Sequence, residues 1–174
     1  GHEAINNFFI TANKVQDFHL IGPAQDQMIN IDFKNNDFIQ VENLKGFAIF
    51  FNMSKFSNKF FDENYFLYFE EIDLCKYVKK NNEKIYLDKN IIIKHVGGSS
   101  VKKLNKIEIE KNRNWHWMWS TFYFHKKHKG FLLALIIILP KLLSSFFKIF
   151  IYMLILNKEK HSIYVCRLSG IFNS

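Results

Sequence analysis

The run Phe60-Phe61-Asp62-Glu63-Asn64-Tyr65-Phe66-Leu67-Tyr68-Phe69-Glu70-Glu71-Ile72-Asp73-Leu74-Cys75 joins an aromatic-rich segment to an amphipathic helix, and it decides the fold. The spacing predicts a helix over residues 70–81, with Ile72, Leu74, Cys75 and Val78 turned inward. Glu70, Glu71 and Asp73 fall in its first turn, where free backbone N–H groups and the helix dipole favour negative charge. Helix capping accounts for such a cluster. So does a general base at a cleft edge, where neighbouring rings restrict water and tune the carboxylate pKa. Periodicity alone does not choose between them.

Upstream of this run the pattern is mixed. Ile5, Phe8, Phe9, Ala12 and Val15 recur at helical spacing, so residues 4–17 read as an amphipathic helix. His19-Leu20-Ile21-Gly22-Pro23 reads as a short buried strand stopped by Gly-Pro. Residues 28–33 and 38–42 alternate well enough for a hairpin around Asn35-Asn36-Asp37, and 46–51 reads as a buried strand. Downstream, Ile85-Tyr86-Leu87 and Ile91-Ile92-Ile93 read as two strands. The second runs into His95 and Gly97-Gly98-Ser99-Ser100, at the strand end where open α/β sheets bind ligands. A neutral imidazole there is a candidate ligand for a divalent metal such as Mn²⁺, although a histidine at such a position is also commonly structural. From about residue 107 onward everything reads as helix. The expectation is therefore an α/β domain over 1–105 followed by a helical, membrane-associated region over 106–174.

Composition narrows the partners. The net charge of +8 favours an anionic partner. Lys126, Lys127, Lys129, Lys141, Lys148, Lys158 and Lys160 flank or interrupt the most apolar stretch, which points to a membrane surface rather than to nucleic acid. The 20 phenylalanines, beside abundant Ile, Asn and Lys, reflect codon bias more than chemistry. Cys75 and Cys166 stand far apart and in no metal spacing, which fits a reducing compartment. Gly1-His2 opens the chain without an initiator methionine, as a tag remnant or a fragment would.

In the tail, Trp115, Trp117, Trp119, Phe122, Tyr123 and Phe124 share one predicted helix with His116, His125 and His128. Trp and Tyr suit a membrane interface or an acceptor wall, and equally a domain core. Residues 131–156, beginning at Phe131, are apolar apart from Pro140, Lys141, Ser144, Ser145 and Lys148, long enough to span a bilayer. Lys141 and Lys148 are seven apart on one helix face, Pro140 is expected to break or kink the helix, and lysines flank both ends. Helices lying in the membrane interface are the favoured reading, ahead of a span or a buried soluble helix.

Taken together, Gly46-Phe47-Ala48, Phe61-Asp62-Glu63, Phe69-Glu70-Glu71-Ile72-Asp73-Leu74, His95-Val96-Gly97-Gly98-Ser99-Ser100, Trp115-His116-Trp117-Met118-Trp119-Ser120 and Tyr123-Phe124-His125-Lys126-Lys127-His128 resemble family 2 glycosyltransferases of the GT-A fold, in the rhamnosyltransferase-like branch. The resemblance implies an inverting transfer of a sugar from a nucleotide-sugar donor to a polyprenyl-diphosphate-linked or other glycan acceptor in cell-envelope polysaccharide synthesis. It implies that Glu71 is the base, with Asp73 and Glu70 beside it. It implies that His95 helps hold a divalent metal (Mn or Mg) on the donor diphosphate, and that Trp115, His116, Trp117 and Trp119 form the acceptor side. The family usually carries Asp at the position of Glu71 and often Arg at the position of Tyr77, so the carboxylate here is one methylene longer and one polar contact is replaced. The nucleotide-binding half of such enzymes, with its Asp-containing metal motif, is expected to lie outside this chain, so residues 1–174 alone are expected to be inactive. Asp26, Asp32 and Asp37 do not form that motif. The expected location is the cytoplasmic face of the inner membrane, with Lys126, Lys127, Lys129, Phe131, Lys141 and Lys148 at the lipid. A non-catalytic membrane-surface adaptor is the alternative.

Overall fold

A computed structural model describes residues 2–24, 32–56, 60–93 and 106–174, which divide into two compact units. The first spans residues 1–62 and 70–98; the second takes in 63–69 and 99–174.

In the first unit, α1 (His2–Val15) and α2 (Glu70–Lys80) accompany a small mixed sheet of β1 (Leu20–Ala24), β2 (Phe38–Gln40), β3 (Phe50–Phe51) and β4 (Ile85–Ile92). The strand order is β2-β4-β1-β3. β1 and β4 run parallel, while β2 on β4 and β3 on β1 run antiparallel. Adjacent residues of a strand face opposite ways, and the two cores follow from that. Leu20, Ile85 and Leu87 pack with Leu74, Cys75 and Val78 of α2. Ile21 packs with Phe8 of α1, Phe18 and Ile91. Both faces of the sheet are thus covered.

Several strand expectations are corrected here. Ile85–Leu87 and Ile91–Ile93 are not two strands: one strand runs from Ile85 to Ile92. Leu87 faces one core and Ile91 the other, so the alternation flips between them, where the register with β1 also shifts. An extra residue in a strand does this, and it splits the apolar pattern in two. Asp88, buried within that stretch, accepts a hydrogen bond from Thr11 of α1 and another from the backbone N–H of Asn90. β1 continues through Gly22 and Pro23 instead of stopping there. β2 pairs with β4; the other arm of the expected hairpin, residues 28–33, lies largely outside the described residues. The strand expected over 46–51 shrinks to Phe50–Phe51, because Gly46 and Phe47 form a turn.

α2 ends as its sequence suggests. Lys79 and Lys80 occupy the last turn, and Asn82 takes a left-handed φ of 58° that lets Glu83 N–H return to the Val78 carbonyl.

The second unit is built from α3 (Lys106–Lys129), α4 (Phe131–Leu154) and α5 (Lys158–Phe172). Gly130, with φ of 84°, makes the turn between α3 and α4, and Asn157 caps α5 by accepting the Lys160 N–H at 3.0 Å. Met118, Phe122, Ala134, Ile138 and Ile171 form the core of the three helices. At Gly170 an added Cβ would lie 2.4 Å from the Trp115 carbonyl oxygen, so α5 crosses the α3 backbone with no room for a side chain. Pro140 does not break α4, which is continuous over 24 residues. Proline removes one N–H from the ladder, and packing of α4 along α3 and α5 keeps the helix continuous through that gap.

Candidate functional site

The start of α2 gathers the carboxylates singled out in the sequence. Two consecutive non-glycine residues, Tyr68 and Phe69, precede it with φ of 69° and 71°. Side chains rarely adopt that conformation, and each such residue costs on the order of 1 kcal/mol, which the surrounding packing must offset. The turn delivers Glu70 and Glu71 directly into the helix's first turn.

Glu71 is half-buried, and its pKa is raised above the ordinary 4.5. Desolvation is the largest cause, and the charge of Glu70 adds to it; the backbone N–H groups of Glu71 and Ile72 pull the other way. Gly46 closes over the side chain: a Cβ there would sit 3.3 Å from Glu71 Cβ and 3.5 Å from Cδ. Glu70 Oε2 is buried with no hydrogen-bond partner among the described residues. Asp73, one turn along, is 6% exposed and points into the unit. Cys75 is fully buried, its Sγ accepting the Leu44 N–H at 3.4 Å, and burial followed by the nearby Glu71 charge pushes its thiol pKa up. The three acids therefore have three environments, and Glu71 combines partial exposure with raised proton affinity.

In the helical unit the segment 63–69 lies along α3. Ser120 Oγ donates to the Leu67 carbonyl at 2.8 Å, and Asn64 Nδ2 donates to the Tyr123 hydroxyl at 3.0 Å. Tyr65 meets Trp119 and Tyr123 edge-on, Phe66 lies against His116, and Tyr68 and Phe69 lie against Trp117. Trp115 Nε1 donates to Ser169 Oγ at 3.3 Å and Trp119 Nε1 to the Asn173 carbonyl at 2.9 Å, so these two rings fasten α3 to the C-terminal helix region. Of the four residues expected on the acceptor side, Trp117, 41% exposed, is the most open large ring. Burial lowers the His116 pKa below the ordinary 6.5.

α4 separates its residues by chemistry. Leu132, Ile136, Leu143, Phe146, Phe147 and Leu154 are all exposed on its outward side. By length and composition the helix could cross a membrane. Lys141 and Lys148 do share a face, but it is the face that also carries buried Ala134, Ile138 and Ser145. Lys148 Nζ stands 5.0 Å from the centre of the Tyr164 ring on α5. Elsewhere, Lys126 Nζ donates to the Ser174 carbonyl at 3.1 Å, Lys127 lies over Tyr65, Lys129 is exposed, and Phe131 is exposed while its ring meets Phe122 edge-on.

Sequence reading missed Tyr164, which meets Lys148 across the helix pair, Arg167, which lies over the Tyr164 ring, and the left-handed pair before Glu70. The i, i+3 spacing of Tyr164 and Arg167 was visible, but not their partner on another helix.

His95, with the Gly97-Gly98-Ser99-Ser100 turn, lies outside the described residues. Among the described residues no three His, Cys, Asp or Glu side chains converge where a metal ion could be held. No protein-family model, curated protein or solved structure matches the chain.

Proposed function

We propose that this chain forms the base and acceptor side of an inverting family 2 glycosyltransferase with a GT-A fold, working at a membrane surface. The observation that carries the reading is Glu71: a half-buried carboxylate, raised in pKa by desolvation, at a helix start reached through two left-handed residues. A general base needs a proton affinity closer to neutrality than an exposed carboxylate has, and a position that water does not flood. The motif resemblance set out above assigns the reaction class.

In that reaction the Glu71 carboxylate takes the proton of an acceptor hydroxyl. The freed oxygen attacks the anomeric carbon in line, the bond from that carbon to the diphosphate oxygen breaks, and the nucleoside diphosphate leaves. The donor is a nucleotide sugar held by a half of the enzyme outside residues 1–174. A divalent metal with His95 among its ligands would offset the leaving group's charge when bound. The described residues supply no such metal set of their own, and the steps assigned to this chain use its carboxylates only.

The lipid side of the proposal rests on α4. Its outward face is apolar over about 36 Å, while its other side is covered by α3 and α5, which carry Lys111, Arg113, Lys160 and Arg167. Crossing the bilayer would draw those charges into hydrocarbon at several kcal/mol in all, so a helical unit lying flat in the cytoplasmic-leaflet interface fits better. A polyprenyl-diphosphate-linked acceptor resides in that same layer.

The test is Glu71→Gln in the full-length enzyme containing the donor-binding half. Transfer should fall on the order of 10²–10⁴-fold with vesicle binding retained. Unchanged transfer would remove Glu71 from the base role and leave Asp73. The second reading, a non-catalytic membrane-surface adaptor, is favoured by the same apolar face of α4 and predicts no transfer from the wild-type full-length protein.

A further inference from the structure

Between α4 and α5 lies a row of cations and rings. Lys160 Nζ stands 5.4 Å from the centre of the Tyr152 ring, and Tyr152 stacks on Tyr164 at 5.5 Å. Lys148 Nζ and Arg167 Cζ lie 5.0 and 5.5 Å from the centre of the Tyr164 ring. Lys141, one further turn pair along the same face of α4, is half-buried, and burial followed by the nearby Arg167 charge pulls its amine pKa down. Among the described residues, no ion pair joins any of these four cations to a carboxylate.

Arg167 is the informative member. Its Nη2 donates to the thioether of Met118 at 3.6 Å, a weak acceptor, and its Nε is buried with no acceptor among the described residues. A buried guanidinium N–H without a partner calls for an anion or a water. Aromatic contact stabilises a cation without neutralising it. Lys148 and Arg167 share the Tyr164 ring and Lys141 feels the Arg167 charge, with no acid paired to any of them among the described residues, and an anion relieves that repulsion.

We propose that Lys141, Lys148 and Arg167 form a binding site for a phosphate or diphosphate group. A planar guanidinium matches two phosphate oxygens, and the two ammonium groups add point charge. Lys141 and Lys148 lie on the face of α4 turned to α5, away from its exposed apolar residues, so the site recognises the phosphate group itself, a chemistry that a lipid headgroup and a free diphosphate share. The inference rests on the membrane part of the reading above and not on its chemistry, and it is read without any transfer reaction.

The experiment is flotation of the purified protein with phosphatidylcholine vesicles, with and without phosphatidylglycerol. Lys148→Gln/Arg167→Gln should reduce the phosphatidylglycerol-dependent gain in binding about tenfold, while binding to phosphatidylcholine alone and helicity by circular dichroism persist. Arg167→Lys, which keeps the charge and loses the fork, should fall between. If the double variant does not fold, Lys141→Gln, which removes one half-buried amine, takes its place. Inorganic diphosphate alone raising the wild-type melting temperature, and not that of the variant, would identify a soluble phosphate as the ligand and still bear out the site. A phosphatidylglycerol gain equal to wild type in folded variants, with no response to inorganic diphosphate, overturns it.

Discussion

The two units treat charge in opposite ways. In the α/β unit, Asp17 bridges Lys55 and Lys84, Glu83 bridges Lys55 and His19, and Asp37 bridges Lys14 and Lys89. In the helical unit, Lys148, Lys160 and Arg167 rest on tyrosine rings without acids. Packing differs in parallel: side chains interlock on both faces of the sheet, whereas α3 and α5 meet backbone to backbone at Gly170. The first unit pairs much of its charge internally. The second pairs Lys111 with Glu108 but holds three cations that no acid neutralises among the described residues, as expected of a surface that meets an anionic layer.

Mutations can sharpen or break that contrast. Leu74→Ala should cost the most, about 2–5 kcal/mol, by opening a cavity where α2 meets the sheet. Urea unfolding followed by circular dichroism measures it, and a loss below about 1 kcal/mol would mean the sheet face is not tightly interlocked. Gly170→Ala should cost about 1–3 kcal/mol because the obstacle is the Trp115 backbone, which no side-chain rotation relieves. A neutral result would show that α3 and α5 can slide apart. Asp17→Asn should have little effect at neutral pH, since its pairs are exposed and salt screens them. Its signature lies in acid. Lys55 and Lys84 lower the Asp17 pKa from 3.8 to about 2, so its contribution is present above about 4 and is lost as pH falls through about 2. The variant should flatten that part of the acid-unfolding curve, and an identical curve would remove Asp17 from the network.

The smallest effect runs the other way. A carboxyl whose folded pKa is raised costs the native state stability as pH climbs from the ordinary 4.5 through the folded value. Glu71→Gln should therefore slightly raise the melting temperature at neutral pH, a gain that vanishes in acid. A loss of stability at neutral pH would mark Glu71 as a cap for its own helix and count against the base role.

How much of this was legible in the sequence follows from where each pattern is local. α2 shows in periodicity because its apolar stripe repeats along one segment, and the tail was readable as helical from about residue 107 onward, but its division into α3, α4 and α5 was not. The continuity of β4 does not, because polar Asp88, Lys89 and Asn90 interrupt it just where alternation flips. The direction of Lys141 and Lys148 does not either. Their shared face was readable, but what covers it arrives with Tyr164 and Arg167 on a later helix. At the candidate site, the place of Glu71 in the first helical turn was readable from the acid cluster. The left-handed turn through Tyr68 and Phe69 was hidden, because nothing in two aromatic residues signals positive φ.

The strand order carries a consequence for synthesis on the ribosome. β4, the last strand among the described residues, lies between β1 and β2, so those two earlier strands have no common neighbour until Ile92 has emerged. Until then β1 and β2 present open edges, and the α/β unit depends on a partner many residues away. Any delay before that point leaves an open-edged nascent chain, and any delay just after it lets the sheet close before the apolar α4 appears.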